Sequence, residues 1–295
     1  MRVTVVALAV LIGCSSDRAE FAHGSHDVID PAAVQGVPSA RHMGPQGRVG
    51  QFVVECAFSH SAPHDPIVFP GQPGLSHLHD FFGSRSVDAS STASTLVGSD
   101  TSCDLVSDTA SYWAPSALFD GKPVEPTSMT AYYRAAVDVD PRSVEPFPFG
   151  LAMIGGDQSA VDAQPLDVVG WSCGGSSSRH VDPPACPVDA TLRLDVTFPD
   201  CWDGVRLDSP GHRRHVHYSV NGVCPTTHPV VLPQLTVSIN YPLSGDVSGL
   251  RLASGSVRSG HADFLNAWDP ERLATEVELC IRGQVVCGIS DGRTG

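Results

Sequence analysis

The stretch LRLDVTF at residues 192–198 alternates apolar and polar side chains, and this alternation decides the fold. Successive side chains of a β-strand point to opposite faces, so one face carries Leu192, Leu194, Val196 and Phe198. The stretch LTVSINY at residues 235–241 repeats the pattern, and its shared face carries Leu235, Val237, Ile239 and Tyr241. Both stretches therefore predict strands that bury one face in a hydrophobic core.

Shorter apolar segments add further strand candidates along the chain: Phe52-Val53-Val54, Ala131-Tyr132-Tyr133, Leu151 to Ile154 and Val168 to Trp171. The chain also contains 24 prolines and 28 glycines, which disfavour long helices. We therefore expect an all-β, mainly antiparallel domain with a sandwich or jelly-roll-like architecture and long loops.

One short helix is expected near the carboxyl terminus. Asp269 has the residue type of an N-cap, and Pro270 suits the first helical position. The helix should run to about Arg282, with one apolar side formed by Leu273, Val277 and Ile281.

The amino terminus predicts export. Arg2 precedes an apolar run at residues 3–12 that is too short to span a bilayer, and the run ends in Leu11-Ile12-Gly13-Cys14, which resembles a bacterial lipobox. In that interpretation residues 1–13 are a signal peptide and Cys14 carries the lipid that anchors the protein to the cell membrane. The alternative is an ordinary signal peptide and a secreted protein. We expect a flexible tether at residues 14–50, one globular domain at 51–288 and a tail at 289–295.

Eight cysteines remain after Cys14: Cys56, Cys103, Cys173, Cys186, Cys201, Cys224, Cys280 and Cys287. An even number in an exported chain predicts four disulfides, and the absence of C-x-x-C disfavours thioredoxin-like chemistry and zinc ribbons. The sequence permits many pairings, among which we favour the neighbours Cys201 with Cys224 and Cys173 with Cys186.

Charge and motifs exclude several functions. The formal net charge of −14 disfavours nucleic-acid binding and leaves carboxylates available for a divalent cation. The sequence has no G-x-S-x-G, H-E-x-x-H, G-x-x-x-x-G-K or G-x-G-x-x-G motif, which disfavours serine esterases, zincin proteases, nucleotide enzymes and NAD enzymes.

Three histidine-bearing segments remain as candidate sites. The first is SHLHDFFG at residues 76–83, where a strand would point His77 and His79 to the same side, a spacing that suits a shared metal or substrate. The alternative is a loop pair that is bonded to nearby carbonyl groups.

The second segment is DSPGHRRHVHY at residues 208–218. A strand from Arg214 would make His215 and His217 face together, whereas a turn would bring His212 beside His215. Upstream, Trp202 and Asp203 could stack a sugar ring and bind its edge, although a tryptophan beside a disulfide is often a core residue.

The third segment, residues 260–269, places His261 and Asp263 just before the expected helix. Asp263 could orient His261, ligate a metal beside it or cap a turn.

Seven motifs in order cover nearly all of the expected domain: SHLH (76–79), SYWAP (111–115), FPFGLAMIGGD (147–157), FPDCWDG (198–204), DSPGHRRH (208–215), CPTTHP (224–229) and HADFLNAWD (261–269). In these motifs the chain resembles bacterial and fungal secreted proteins that contain the domain of unknown function 1996. Six residues of this chain occupy motif positions of the family: His77, His79, His212, His215, His261 and Asp263. His217 falls outside the pattern. Some fungal relatives look joined to carbohydrate-binding modules, which implies a role at the cell wall by association only.

These observations together suggest that the protein binds or cleaves a cell-envelope polysaccharide at a cleft formed by the three segments. The candidate catalytic residues are His77, His79, His215, His261 and Asp263, of which His77, His79 and His215 are the candidate ligands of a divalent metal ion. The candidate substrate-binding residues are Tyr112, Trp113, Trp202, Asp203 and His212. The alternative is a non-catalytic surface protein whose histidines form a structural polar core. Polysaccharide is the candidate partner, nucleic acid is excluded, and the membrane is expected to be contacted through the lipid only.

Overall fold

The structure is a computed structural model that describes residues 49–288. The predicted signal peptide, Cys14, nearly all of the predicted tether and the predicted tail therefore lie outside the described residues.

The described chain consists of short strands joined by long loops. In chain order the strands are β1 (Gln51–Ala57), β2 (His60–Ala62), β3 (His79–Gly83), β4 (Ser111–Pro115), β5 (Ala117–Phe119), β6 (Lys122–Val124), β7 (Ser128–Arg134), β8 (Ala152–Gly156), β9 (Val169–Cys173), β10 (Leu192–Thr197), β11 (Cys201–Trp202), β12 (Val216–His217), β13 (Val230–Val231), β14 (Gln234–Tyr241), β15 (Leu250–Leu252), β16 (His261–Leu265) and β17 (Val286–Cys287). The helices are α1 (Ala93–Leu96), a 3-10 turn (Pro141–Ser143), α2 (Pro270–Glu276) and a π-helical segment (Val277–Arg282).

Two large sheets form a sandwich. One has the order β17-β1-β7-β14-β10-β9 and is antiparallel except for the β1–β17 pair, and the other has the fully antiparallel order β2-β3-β4-β16-β8. Two three-stranded sheets, β12-β11-β13 and β15-β5-β6, complete the fold. The predicted all-β, mainly antiparallel fold class is confirmed.

The alternating stretches lie in the middle of the six-stranded sheet. In β10, Leu192, Leu194 and Val196 are fully buried, and β10 pairs with β14, whose alternating side chains are buried against the same core. The opposite sheet supplies the other half of this core through Phe82, Tyr112, Met153 and Phe264. The shorter predicted strands coincide with β1, β7, β8 and β9.

The predicted helix is confirmed as well. The Asp269 carboxylate accepts the backbone N–H of Arg272 at 2.8 Å, and Pro270 is the first residue of α2. The helical path continues through the π-helical segment to Arg282, and the buried side consists of Leu273, Val277 and Ile281.

Four disulfides staple the described chain, and they include both favoured pairs: Cys173–Cys186, Cys201–Cys224, Cys56–Cys103 and Cys280–Cys287. Disulfides of this number persist in oxidising compartments, so they indicate an extracellular protein. Within residues 49–288, none of the helices has the length and apolar composition needed to cross a membrane.

A second, smaller core covers the outer face of the five-stranded sheet. Its cross-strand row consists of Phe81, Trp113, Asp263 and Ile154, which oppose one another on β3, β4, β16 and β8. Loops and helix α1 close over this face through Ile67, Val87, Ala93 and Leu96. The candidate site lies at one end of this outer face.

Candidate functional site

Strand register brings the histidines of two separate motifs together. His79 opens β3 opposite Pro115, the last residue of β4. Strand β16 pairs with the other side of β4, with Asp263 opposite Trp113, so His261 emerges two residues further along the same face. His79 and His261 therefore lie on either side of the end of β4, and both side chains are on the outer face of the five-stranded sheet.

His77 joins them from the loop that enters β3. The ring centroids are 4.2 Å apart for His77 and His79, 5.1 Å for His77 and His261, and 5.9 Å for His79 and His261. One ring nitrogen of each residue lies within 4.8 Å of the others, a spacing that permits one metal ion to be held. His79 and His261 are at most 2% exposed, whereas His77 is partly exposed. These three residues form the histidine triad.

Hydrogen bonds orient two of the three rings. The Nδ1 of His79 lies 2.9 Å from the carbonyl oxygen of His64, and the Nδ1 of His261 lies 2.9 Å from that of Ser259. A carbonyl oxygen only accepts, so each Nδ1 carries the proton and each Nε2 keeps a free electron pair. Histidines that bind metals typically donate their other ring N–H in this way.

Burial keeps the triad neutral. It lowers the pKa of His77 to about 4 and that of His261 to about 3, and it lowers the pKa of His79 well below its usual range. Neutral imidazole is the form that binds a metal. The Nε2 atoms of His77 and His79 are buried and have no hydrogen-bond partner among the described residues.

Further buried polar atoms on this face also lack partners within residues 49–288. They are Nε1 of Trp113, both carboxyl oxygens of Asp263 and Nδ1 of His64. Asp263 Oδ2 lies 3.9 Å from Nε2 of His261. Burial raises the pKa of the Asp263 carboxyl well above its usual range, nearby Asp65 raises it further, and Arg213 opposes both. Unpaired buried polar atoms are rare, and their concentration here indicates a site for an ion, water or ligand.

Arg213 reaches the site from the second histidine segment. Its Nη2 donates to the carbonyl oxygen of Gly156 at 2.6 Å, and Gly156 pairs with His261 across the sheet. Gly156 has φ of 77°, and a Cβ there would lie 3.0 Å from the Cα of His261, so only glycine allows this close approach. Sequence reasoning missed Arg213, whose only signal was its position inside the DSPGHRRH motif.

His215 does not join the triad, contrary to its predicted role as a metal ligand. Its Nδ1 is bonded to Ser209 Oγ at 2.9 Å and its Nε2 to the carbonyl oxygen of Ala152 at 2.7 Å. Ala152 opens β8 at the end opposite Gly156. With both ring nitrogens engaged, His215 is a structural link between the 208–215 loop and the sheet.

The other histidines of this segment are not members of the triad. His215 is buried whereas His217 is exposed, so the two do not face together. His217 has its ring 5.7 Å from that of His228. His212 is held by Asp208, with a distance of 3.0 Å between Nδ1 and Oδ2.

The predicted sugar-facing aromatics are mostly internal. Tyr112 and Trp113 are each 1% exposed, because the alternation of β4 points one into the sandwich core and the other into the outer core. The Tyr112 hydroxyl donates to Asp108 at 2.7 Å and contacts the hydroxyl of Tyr133. Neither ring can stack on a sugar from solvent, so this part of the prediction is wrong.

Trp202 and Asp203 stand at the surface in a tight turn. Trp202 is partly exposed and donates from Nε1 to the carbonyl oxygen of Arg206 at 2.6 Å. Asp203 accepts the backbone N–H groups of Val205 and Arg206 and pairs with the Arg206 guanidinium at 2.7 Å. The Asp203 carboxylate is therefore committed to the turn, and a sugar contact of Trp202 stays a prediction.

Comparison with known proteins identifies a family for this chain but no activity. No curated protein and no solved structure matches the chain. The family model described as "Domain of unknown function (DUF1996)" matches residues 65–268, which include the histidine triad, Asp263 and Arg213. Since this match spans more than half of the chain, the protein belongs to the domain of unknown function 1996 family.

Proposed function

We propose that the domain binds one divalent transition-metal ion through His77, His79 and His261 and uses it on a polysaccharide of the cell envelope. The observation that carries the proposal is the convergence of three neutral imidazoles, each with one ring nitrogen within 4.8 Å of the others. The Nδ1 atoms of His79 and His261 are engaged by backbone carbonyl groups, which leaves their Nε2 atoms for coordination. Three imidazole ligands suit zinc, copper, iron or nickel better than calcium or magnesium, which prefer oxygen.

Three protein ligands leave a coordination position open. Sites of this kind are typical of catalytic zinc, whose bound water ionises near neutral pH and attacks a polarised bond. A metal held by the triad would supply such a water, and Asp263 would be its hydrogen-bonding partner, because its two oxygens have no other partner among the described residues and one lies 3.9 Å from His261. His77 is the ligand nearest to solvent, so substrate would approach from its side.

The proposed substrate class rests on location and on Trp202. A disulfide-stapled extracellular domain meets the polymers of the cell envelope, and the partly exposed indole of Trp202 offers one face for a sugar ring. A lipid at Cys14, which we propose as the anchor, would keep the domain beside these polymers.

A structural role of the histidines is the second candidate, and the burial of His79 and His261 favours it. A structural polar core should satisfy its hydrogen bonds, however, as His215 does. The unpartnered Nε2 atoms of His77 and His79 therefore favour the metal site.

The metal test uses protein purified from an oxidising compartment without a histidine tag. We expect about one transition-metal ion per chain and a binding titration that saturates at this ratio. His77→Ala should weaken the affinity by more than the roughly 10- to 100-fold that the loss of an outer hydrogen-bond partner costs. His217→Ala is the matched control, because His217 is exposed and outside the triad.

Two outcomes would contradict the metal site. One is stoichiometric metal binding by His77→Ala with the affinity of the wild type, and the other is no binding by the folded wild-type protein. Since His77 is partly exposed, its loss should leave the melting temperature of the metal-free protein nearly unchanged. The polysaccharide step is tested separately by sugar release from cell-wall preparations, which the loaded wild type should catalyse and His77→Ala should not.

A further inference from the structure

Arg213 lies beside the histidine triad, because the carbonyl oxygen that accepts its Nη2–H belongs to Gly156, the cross-strand partner of His261. The hydrogen bond to Gly156 holds one end of the guanidinium beside β16, while the side chain as a whole stays exposed to solvent. Arg213 is therefore fixed at the border between the buried triad and the solvent.

Arg213 has no anionic partner in the described part of the chain. His212 pairs with Asp208 and Arg206 pairs with Asp203, whereas the adjacent Arg214 also lacks an anionic partner among residues 49–288. Arg213 differs from Arg214 in that a hydrogen bond to Gly156 holds its guanidinium beside β16. The remaining N–H groups of the Arg213 guanidinium make no hydrogen bond to residues 49–288. An arginine offers its donors in a planar fork that matches the two oxygens of a phosphate or carboxylate.

Arg213 is a cationic side chain on a protein whose net charge is strongly negative. The protein carries a formal net charge of −14, so a polyanion would be repelled by most of its surface. A divalent ion at the triad and the Arg213 guanidinium would together form a local positive centre. The carboxyl groups of Asp65 and Asp263 are buried, and Asp65 accepts hydrogen bonds from the backbone N–H groups of Ile67 and Val68.

We infer that the site recognises an oxyanion, and that the substrate is an acidic polysaccharide whose phosphate or carboxylate group is bound between the metal ion and the guanidinium of Arg213. The inference rests on the proposed metal site and adds the substrate's charge to it. The hydroxyl groups of a neutral glucan offer the guanidinium only neutral acceptors, whereas an anionic group forms charge-assisted, bidentate hydrogen bonds with it and can ligate the metal as well.

The test uses the full chain loaded with cobalt(II), whose visible absorption changes when an anion replaces a bound water. Inorganic phosphate and acetate are titrated separately into the wild type and into the variant Arg213→Gln. We expect the variant to bind cobalt as the wild type does but to bind the better anion about 10- to 100-fold more weakly, the factor for loss of one charged hydrogen bond. Arg214→Gln, the exposed neighbour, is the matched control and should behave as the wild type.

Arg213→Lys separates charge from geometry. Lysine keeps the positive charge but lacks the fork, so its anion affinity should lie between those of the wild type and Arg213→Gln. A larger loss of phosphate affinity than of acetate affinity in Arg213→Gln would favour phosphate-bearing polymers as the substrate, and the reverse would favour uronic-acid polymers.

The outcomes distinguish this inference from the metal proposal. If cobalt binds at the triad but Arg213→Gln holds both anions as tightly as Arg214→Gln, the oxyanion inference fails and the metal site stands. Cobalt binding without any anion response in the wild type overturns the inference too. If His77→Ala binds cobalt as the wild type does, the metal proposal itself fails.

Discussion

At the scale of single residues, the hydrogen bonds of each imidazole separate ligand candidates from structural histidines. His79 and His261 each use Nδ1 on a backbone carbonyl, while His215 uses both ring nitrogens. In all three segments, close spacing of a histidine with another histidine or an aspartate predicted a site residue. It could not reveal His215 as structural, because its partner Ala152 is 63 residues away in the chain.

Asp80 gives a pH-dependent prediction. It points to the opposite face of β3 from His79, is 2% exposed, and accepts hydrogen bonds from Ser61 and Ser116 on one oxygen only. Burial raises its pKa from 3.8 to about 6, and Glu125 adds to the effect. The folded protein therefore binds this proton more tightly than the unfolded chain, so the stabilisation is complete below pH 3.8 and is lost as the pH rises through 6.

The variant Asp80→Asn isolates this carboxyl, because asparagine has no charge at any pH. Between the two pKa values the free energy of unfolding of the wild type should fall by about 3 kcal/mol relative to the variant. Urea unfolding of both metal-free proteins at a series of pH values measures the difference. The triad histidines titrate in both proteins, so their effect cancels. A difference that does not vary with pH would refute the raised pKa.

At the scale of elements, strand register brings the triad histidines together. His79 and His261 come from motifs 182 positions apart, and they meet because β3 and β16 pair with opposite sides of β4. Gly156 ends β8 with a positive φ where a larger residue would collide with β16. Glycine therefore lets the sheet stay tightly paired beside the triad, and its carbonyl oxygen holds Arg213.

Helix α2 provides a prediction about its start. The Asp269 carboxylate is the N-cap, and it satisfies the N–H of Arg272. Asp269→Ala should lower the free energy of unfolding by about 1 kcal/mol, as measured by urea denaturation. Asp269→Asn is the control, since asparagine caps as well as aspartate, and it should stay close to the wild type. Equal losses in both variants would mean that the charge, and not the cap, stabilises the helix.

At the scale of the whole molecule, two hydrophobic cores and four disulfides share the stabilisation. The large core fills the sandwich, and the small core fastens the long loops to the outer face of the five-stranded sheet. Each disulfide typically contributes about 2–4 kcal/mol, which is large beside the net stability of an ordinary domain. The loops that carry His64, His77 and Arg213 can therefore be long without leaving the site undefined.

Membrane attachment is a prediction about the whole molecule, and it falls on a residue outside the described range. Cys14→Ser should release the protein from membranes into the medium, because the acyl chains can no longer be attached. Fractionation of cells that produce the variant measures the release, and Ser15→Ala is the matched control. A variant that remains in the membrane fraction to the extent of the wild type would rule out the lipid at Cys14.

The sequence by itself determined the strands of the central sheet, the class of fold, two of the four disulfides and the helix from Asp269. Each of these depends on residues that are close together in the chain: the alternation of 192–198, the short spacing of Cys173 and Cys186, and the N-cap followed by Pro270. It also brought His77, His79, His261 and Asp263 into consideration, because their spacing of two is a local pattern.

Tertiary structure alone decided which of these candidates meet. Tyr112 and Trp113 are buried because each lies on a covered face of β4. His215 is excluded from the triad and Arg213 lies beside it because of the strands that pair around β8. A shift of one residue in register would reverse every one of these faces. Such long-range pairing is set by the packing of the whole sandwich, so no local pattern in the sequence encodes it.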